Sequence, residues 1–352
     1  MTGRERLISA LKREKPDRLP TLEWVLDTEI TQAITGDSDQ IEFAKKRNID
    51  GVSVSLNYRN TTIDDKHFVD EWGVTRISYD EYPTPVKHPI ETLEDFEKLK
   101  IPDPNDEYHY QSIRDAVTRC KTEDIAVVGR VKDIFSQPRD LMGFQEFLMS
   151  FYLEPELATR MMEMCVEHST VVGKNLRKLG VDIVVIGDDI AHNTGLLLSP
   201  EMFREQVLPH LTELVQNLKK EGLYVIKHSD GDLNSIVDDL VGTGIDCLDP
   251  IDPLGHMDMK SVTEQYANQI ARKGNVDCVS VLVDQSVEKV WAETARCILE
   301  GAQPGGHIIS SSNSIHRGIN PTNYSAFLDA ARELGVYPLD IERLNKVMSG
   351  GQ

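Results

Sequence analysis

Short runs rich in β-branched residues recur along the chain, each closing on glycine or polar residues and each followed by a stretch with helical periodicity. That alternation is the signature of repeated βα units. Eight runs qualify as strands: Leu22 to Val25, Gly51 to Leu56, Ile125 to Gly129, Asp182 to Ile186, Leu223 to Lys227, Ile245 to Leu248, Gln269 to Val276, and His307 to Ser310. Helical periodicity marks Pro155 to Leu179, Pro200 to Glu221, Leu233 to Thr243, Ser286 to Gly301 and Pro321 to Gly335. Ser199-Pro200 and Asn320-Pro321 each place a capping side chain before a proline at the first helical position. Gly222 and Gly335 stand where left-handed helix stops are expected. The pattern predicts an α/β fold, a (β/α)8 TIM barrel in one domain spanning residues 1–352.

The period breaks once. Between the second and third strands, residues 57–123 double the usual spacing with a segment rich in Asp, Tyr and Pro, which reads as an insertion over one end of the barrel. Within it, Asp70-Glu71-Trp72-Gly73 fits a surface hairpin anchored by a buried tryptophan better than a wall of the barrel mouth.

In such a barrel the residues just after each strand converge on one face, and unusual polar residues there carry chemistry. The first strand carries Glu23 and Trp24, the third ends at Arg130, the fourth at Asp188-Asp189 and the sixth at Asp249. The seventh ends at Asn275 and Cys278, and the eighth at Asn313. The fifth runs as YVIKHSDGD, an apolar strand leading straight into His228 and Asp230. His228 and Asp230, with Cys278 two strands on, form a mixed N, O and S set suited to zinc with an open coordination position. Asp188 and Asp189 leave one strand end together, so at most one points inward, as a catalytic or substrate-binding group. Glu23, Trp24, Arg130, Asp249, Asn275 and Asn313 are candidates for holding substrate. Cys247 lies within a strand and reads as a small core residue.

Composition narrows the classes. Among 352 residues no apolar run approaches the roughly 18 that a membrane span requires, and the amino terminus lacks the apolar stretch of a secretory signal, so a cytoplasmic protein is expected. Five scattered cysteines do not suggest a disulfide framework. A net charge of −20 and the lack of a basic tract with interleaved aromatics argue against a nucleic-acid partner. The same acidity, gathered at the mouth by Asp188, Asp189, Asp230, Asp232, Asp249 and Asp252, predicts a metal ion or a neutral or cationic ligand there.

RERLISALKREKPDRLP, DEWGV, LEDFEKLKIPDP, LSPEMFREQVLPHL, KHSDGD, GNVDC and GGHIISSSNSIHRGINPTNY together resemble the uroporphyrinogen decarboxylase superfamily along nearly the whole chain. The superfamily contains metal-free decarboxylases of uroporphyrinogen and zinc-dependent methyltransferases that work with corrinoid proteins. Decarboxylases carry an arginine-rich MRQAGRY segment after the first strand and an aspartate in an FSDIL-like segment at the second. This chain has LEWVLDTEI and SVSLNY there. The resemblance therefore implies a methyltransferase of the O-demethylase type rather than a genuine uroporphyrinogen decarboxylase. It would move a methyl group from a small, methoxylated aromatic substrate to the cobalt of a separate corrinoid protein. The relatives bind zinc through a His-x-Cys pair and a later Cys. Here His228 is retained, Asp230 stands at the first cysteine's place, and Cys278 comes from a different strand. A lyase acting on a smaller acid through Arg130 and Arg317, or a non-catalytic binding barrel, remains open. A homodimer is the expected assembly.

Overall fold

A computed structural model of the chain describes residues 1–78, 83–187 and 189–350. Seven parallel strands, Gly51–Val54, Ala126–Lys132, Ile183–Gly187, Tyr224–His228, Cys247–Asp249, Ala271–Lys273 and His307–Ile308, pair in chain order in one sheet. The expected first strand is drawn between the two edges without a continuous ladder. Thr21 bridges Ile309 in parallel, Ile309 N–H donates to the Pro20 carbonyl at 3.0 Å, and Asp50 N–H donates to the Thr21 carbonyl at 3.1 Å. The result is an α/β fold with a parallel sheet curved into a TIM-like barrel.

One apolar layer fills its interior. Leu22, Ala126, Val128, Ile183, Val185, Ile226, Cys247, Ala271 and Ile308 meet in a single buried cluster, with Leu7 and Leu11 from the amino-terminal helix Gly3–Leu11 closing the floor. Cys247 is thus the core residue its strand position suggested.

Helices Pro155–Lys178, Val287–Gly301 and Pro321–Leu334 form where the periodicity places them. Ser199 and Asn320 both cap, accepting from Met202 and Thr322 N–H. Two expectations change. The segment Leu233 to Thr243 is helical only over Val237–Gly242. Gly222 has the left-handed φ of +80°, but Gly335 has φ −87°. Gly335 is needed for closeness: a Cβ would stand 2.5 Å from the Ala331 carbonyl oxygen and 3.1 Å from Leu19, whose N–H donates to the Gly335 carbonyl.

Between Val54 and Ala126 the chain forms a separate antiparallel sheet of Asn60–Thr62, His67–Asp70, Thr75–Ile77 and Thr84–Lys87. Glu71-Trp72-Gly73 is a hairpin turn with Trp72 buried edge-on against His168. Among the described residues no helix is long and apolar enough to cross a membrane.

Candidate active site

Strand alternation builds the site. Side chains two residues apart share a face of a strand, so counting on from the apolar interior layer gives Trp24 after Leu22, Arg130 after Val128, His228 after Ile226, Asp249 after Cys247 and Lys273 after Ala271. These form a polar storey above an apolar one, at the carboxyl ends of the strands.

His228 is its centre. The ring is buried, stacks flat on Trp24 with centroids 4.3 Å apart, and places Nδ1 3.0 Å from Asp249 Oδ2. The other Asp249 oxygen accepts from Lys273 Nζ at 2.7 Å. Burial alone would raise the Asp249 pKa, but the charges and hydrogen bonds of Lys273 and His228 hold it at about 2. A carboxylate so fixed takes the Nδ1–H of His228 and leaves Nε2 on the side of Asp230. Burial would lower the His228 pKa. Asp249 outweighs it, with Asp230 and Asp189 adding to the effect, and the imidazole titrates above its ordinary value.

Nε2 faces carboxylates. Asp230 Oδ1 is 3.8 Å away and buried with no hydrogen-bond partner, while its Oδ2 accepts from Asn313 Nδ2 at 2.5 Å. Asp189 accepts from the Asp230 N–H at 3.2 Å. Burial pushes the Asp230 carboxyl up, and repulsion from Asp189 adds to the shift, against the pull of His228. Ligand atoms of Asp189, His228 and Asp230 all lie within 4.8 Å of one another. One imidazole and two carboxylates, one of them with a buried orphan oxygen, fit a zinc ion with a coordination position to spare.

Several expected residues go elsewhere. Asp188 lies outside the described residues. Cys278 is not in the group: its N–H donates to Ser312 Oγ at 3.2 Å, its Sγ lies 3.4 Å from the same oxygen, and burial raises the thiol to about 11. The cause is pairing of the seventh strand end with the eighth, Val276 against Ser311, which turns the cysteine toward Ser312. Asn275 is buried but donates to the Ile251 carbonyl at 2.8 Å and faces Arg296 and Cys297 on the helix outside. Glu23, on the opposite face of its strand from Trp24, accepts from Ser311 Oγ at 2.6 Å, and burial raises its pKa to about 7. Asp249 supports His228 rather than lining open space.

Two of the mouth aspartates are tied to loop backbone rather than aimed at a ligand. Asp252 accepts from Gly231 and Leu254 N–H groups, and Asp232 accepts from the Asn234 N–H, so both are committed to loop backbone.

Lys273 is the residue that the sequence reading missed. Its signal was a charged side chain inside a buried strand, ARK, which must find a partner. Lys227 is a second case: fully buried, it pairs with Asp133 at 2.7 Å and donates to the His228 carbonyl at 3.0 Å. Another acidic cluster, Glu71, Asp106 and His109, already holds a cation, since Arg59 Nη1 donates to Glu71 at 3.1 Å and Asp106 at 2.6 Å.

The profile of the uroporphyrinogen decarboxylase (URO-D) family matches residues 73–334. The chain belongs to this family. Among curated relatives, it is 24% identical to the uroporphyrinogen decarboxylase of Alkalilimnicola ehrlichii over 263 residues, covering 70% of this chain and 68% of that one. It is 21% identical to the methylcobamide:CoM methyltransferase MtbA of Methanosarcina acetivorans over 338 residues, covering 89% and 94%. Among solved structures, a methyltransferase from Methanosarcina mazei superposes with a TM-score of 0.76 at 17% identity, covering 95% of this chain and 99% of that one, which establishes the shared fold.

Proposed function

We propose that this URO-D family protein transfers a methyl group from a small methylated compound, a methoxylated aromatic, to the cobalt of a separate corrinoid protein, assisted by zinc. The observation that carries the reading is the buried, unpartnered Asp230 Oδ1 facing His228 Nε2 beside Asp189. The likeness to the methylcobamide:CoM methyltransferase supports it by running over more of the chain than the likeness to the decarboxylase. So does LEWVLDTEI, which offers no arginine for a tetrapyrrole's carboxylates, and uroporphyrinogen is therefore not the proposed substrate.

His228, Asp230 and Asp189 would hold the metal. When bound, zinc supplies a Lewis acid for the negative charge that develops on the leaving oxygen. The chain's own residues do the rest. Asp249 fixes the His228 tautomer, Lys273 keeps Asp249 ionised, and Asn313 holds Asp230 by its outer oxygen. Trp24 covers one face of the imidazole and keeps water from it. The nucleophile is the partner's cobalt, so this chain needs no nucleophilic side chain. The antiparallel sheet over residues 60–87 supplies part of the surface on which that partner docks.

Elemental analysis of purified protein should find zinc near one per chain. Anaerobic assay with reduced corrinoid protein and methoxylated aromatics should show transfer that a chelator abolishes. Activity that survives complete metal removal would sink the reading.

One observation favours a second reading, decarboxylation of a small acid: Arg130 and Lys132 both line the cavity beside Trp24. Arg317 would take no part, since it sits 3.7 Å from both Asp27 and Glu29. Released carbon dioxide without methyl transfer would select this alternative.

A further inference from the structure

Two neighbouring positions of the barrel interior are filled in opposite ways. Gly187 and His228 are register partners on adjacent strands, and one presents an imidazole where the other presents nothing. Trp24, from the first strand on the far side of the barrel, lies over both.

Gly187 is a glycine for the sake of space. Its φ is outside the left-handed region, so the backbone there does not demand glycine. Within a strand glycine gives up packing, and it marks a site of close approach. A Cβ at this position would stand 2.5 Å from Trp24 Cη2 and 2.8 Å from Cζ2, well inside van der Waals contact. Both atoms belong to the outer end of the indole, and a phenyl ring does not extend that far. The empty position is therefore matched to tryptophan in particular.

The indole in turn sets the plane of His228. The hydrogen bond between Nδ1 and Asp249 Oδ2 at 3.0 Å fixes one corner of the imidazole. It leaves the ring free to rock about that corner, because the terminal torsion of a histidine has only a broad preference. The stack removes this freedom, with the two rings 4.3 Å apart and 7° from parallel. Nε2 is then held on the side of Asp230, whose Oδ1 is 3.8 Å away.

We propose that Gly187 and Trp24 are positioning residues for His228: the missing side chain at Gly187 seats the indole, and the indole holds the imidazole plane in which Nε2 can reach a metal shared with Asp230 and Asp189. The inference rests on the zinc reading only for that metal. The seating of one ring by the other holds in the bare protein.

The seating can be read without metal. In a carbon–proton NMR spectrum of histidine-labelled protein, the ring signals of His228, identified by their loss in His228→Ala, should lie upfield because the indole shields them. Trp24→Leu should abolish that shift, and Gly187→Ala should abolish most of it by pushing the indole off the imidazole. In a Trp24→Phe background, Gly187→Ala should change nothing further, since the shorter ring leaves room for the methyl group. Such non-additivity is the mark of direct contact. Zinc affinity, measured by competition with a chelating dye, should follow the same order: about tenfold weaker in Trp24→Leu and in Gly187→Ala, with the double variant equal to Trp24→Phe alone. Should Gly187→Ala fail to fold, the double variant carries the test. Its native circular dichroism would support the clash with Trp24, and its failure to fold would overturn it. An unshifted His228 signal in the unmodified protein, a Gly187→Ala variant with unmoved signals, or equal effects of Gly187→Ala with either ring at position 24 would also overturn the assignment. Ring signals as expected in a protein that binds no zinc would refute the zinc reading and leave the positioning standing. Undiminished zinc affinity in Gly187→Ala and Trp24→Leu would do the reverse.

Discussion

Two carboxylates at opposite ends of the barrel, Asp50 and Asp230, are treated in opposite ways. At the amino end, Asp50 precedes its strand and is surrounded by donors: Arg18 at 2.7 and 2.9 Å, Arg6 at 3.1 Å and the Thr21 N–H at 2.9 Å. Both oxygens are satisfied. At the carboxyl end, Asp230 keeps one oxygen buried and unpartnered beside another carboxylate and a histidine. A buried polar group left without a partner costs free energy, on the order of 1–3 kcal/mol. The satisfied carboxylate therefore holds the fold together. The unsatisfied one costs the fold stability at the place where the proposed metal would be held.

Substitution should separate the two ends. His228→Ala should lower kcat/KM for methyl transfer at least a thousandfold, about 4 kcal/mol in the barrier, while the melting temperature moves little. Equal losses of activity and stability would erase the contrast. Asp50→Ala should do the reverse. It removes the carboxylate partner of Arg18 and the acceptor of the Thr21 N–H, while Arg6 keeps Asp17, so urea unfolding should show a loss of about 3 kcal/mol while the folded protein turns over normally.

Glu23 sharpens the comparison, because it is a carboxylate near the functional end that serves structure. Burial holds its proton on up to about pH 7, against an ordinary 4.5. Between those values the folded chain binds more protons than the unfolded one, so this group's contribution is fully present below pH 4.5 and is lost as the pH rises through 7. Stability should fall by at most about 3 kcal/mol across that window. Glu23→Gln should flatten the fall, measured as the melting temperature at pH 5 and pH 8. An unchanged slope would show that other groups set it. The smallest effect is expected at Asp249→Asn, which should weaken zinc binding some 10- to 100-fold in competition with a chelating dye and leave His228 in place.

How much of this was legible depended on which direction of the backbone carried the information. Strand and helix positions follow from periodicity, and Pro155–Lys178 or the Asn320 cap could be placed from sequence alone. His228, Asp230 and Asp189 could be placed at strand ends for the same reason. Which side of a strand end a residue faces is harder, because a shift of one position reverses it. Glu23 and Trp24 are neighbours, and only Trp24 faces the barrel interior. Counting in twos from Cys247 and Ala271 would have found Asp249 and Lys273 together. No such count covers Cys278 or Asn275, whose directions are set by pairing with Ser311 and Ser312 and by the Ile251 carbonyl. The first strand is faint for a related reason: isolated bridges at Thr21 and Leu26, on either side of Leu22 to Val25, stand in place of a ladder.

The stopper formed by Leu7 and Leu11 has a consequence for traffic. A barrel plugged at its base has a single doorway. Under the proposed reaction the small methyl donor would have to go in first, because the corrinoid protein would shut the door behind it, and the spent molecule would leave only after that visitor withdraws.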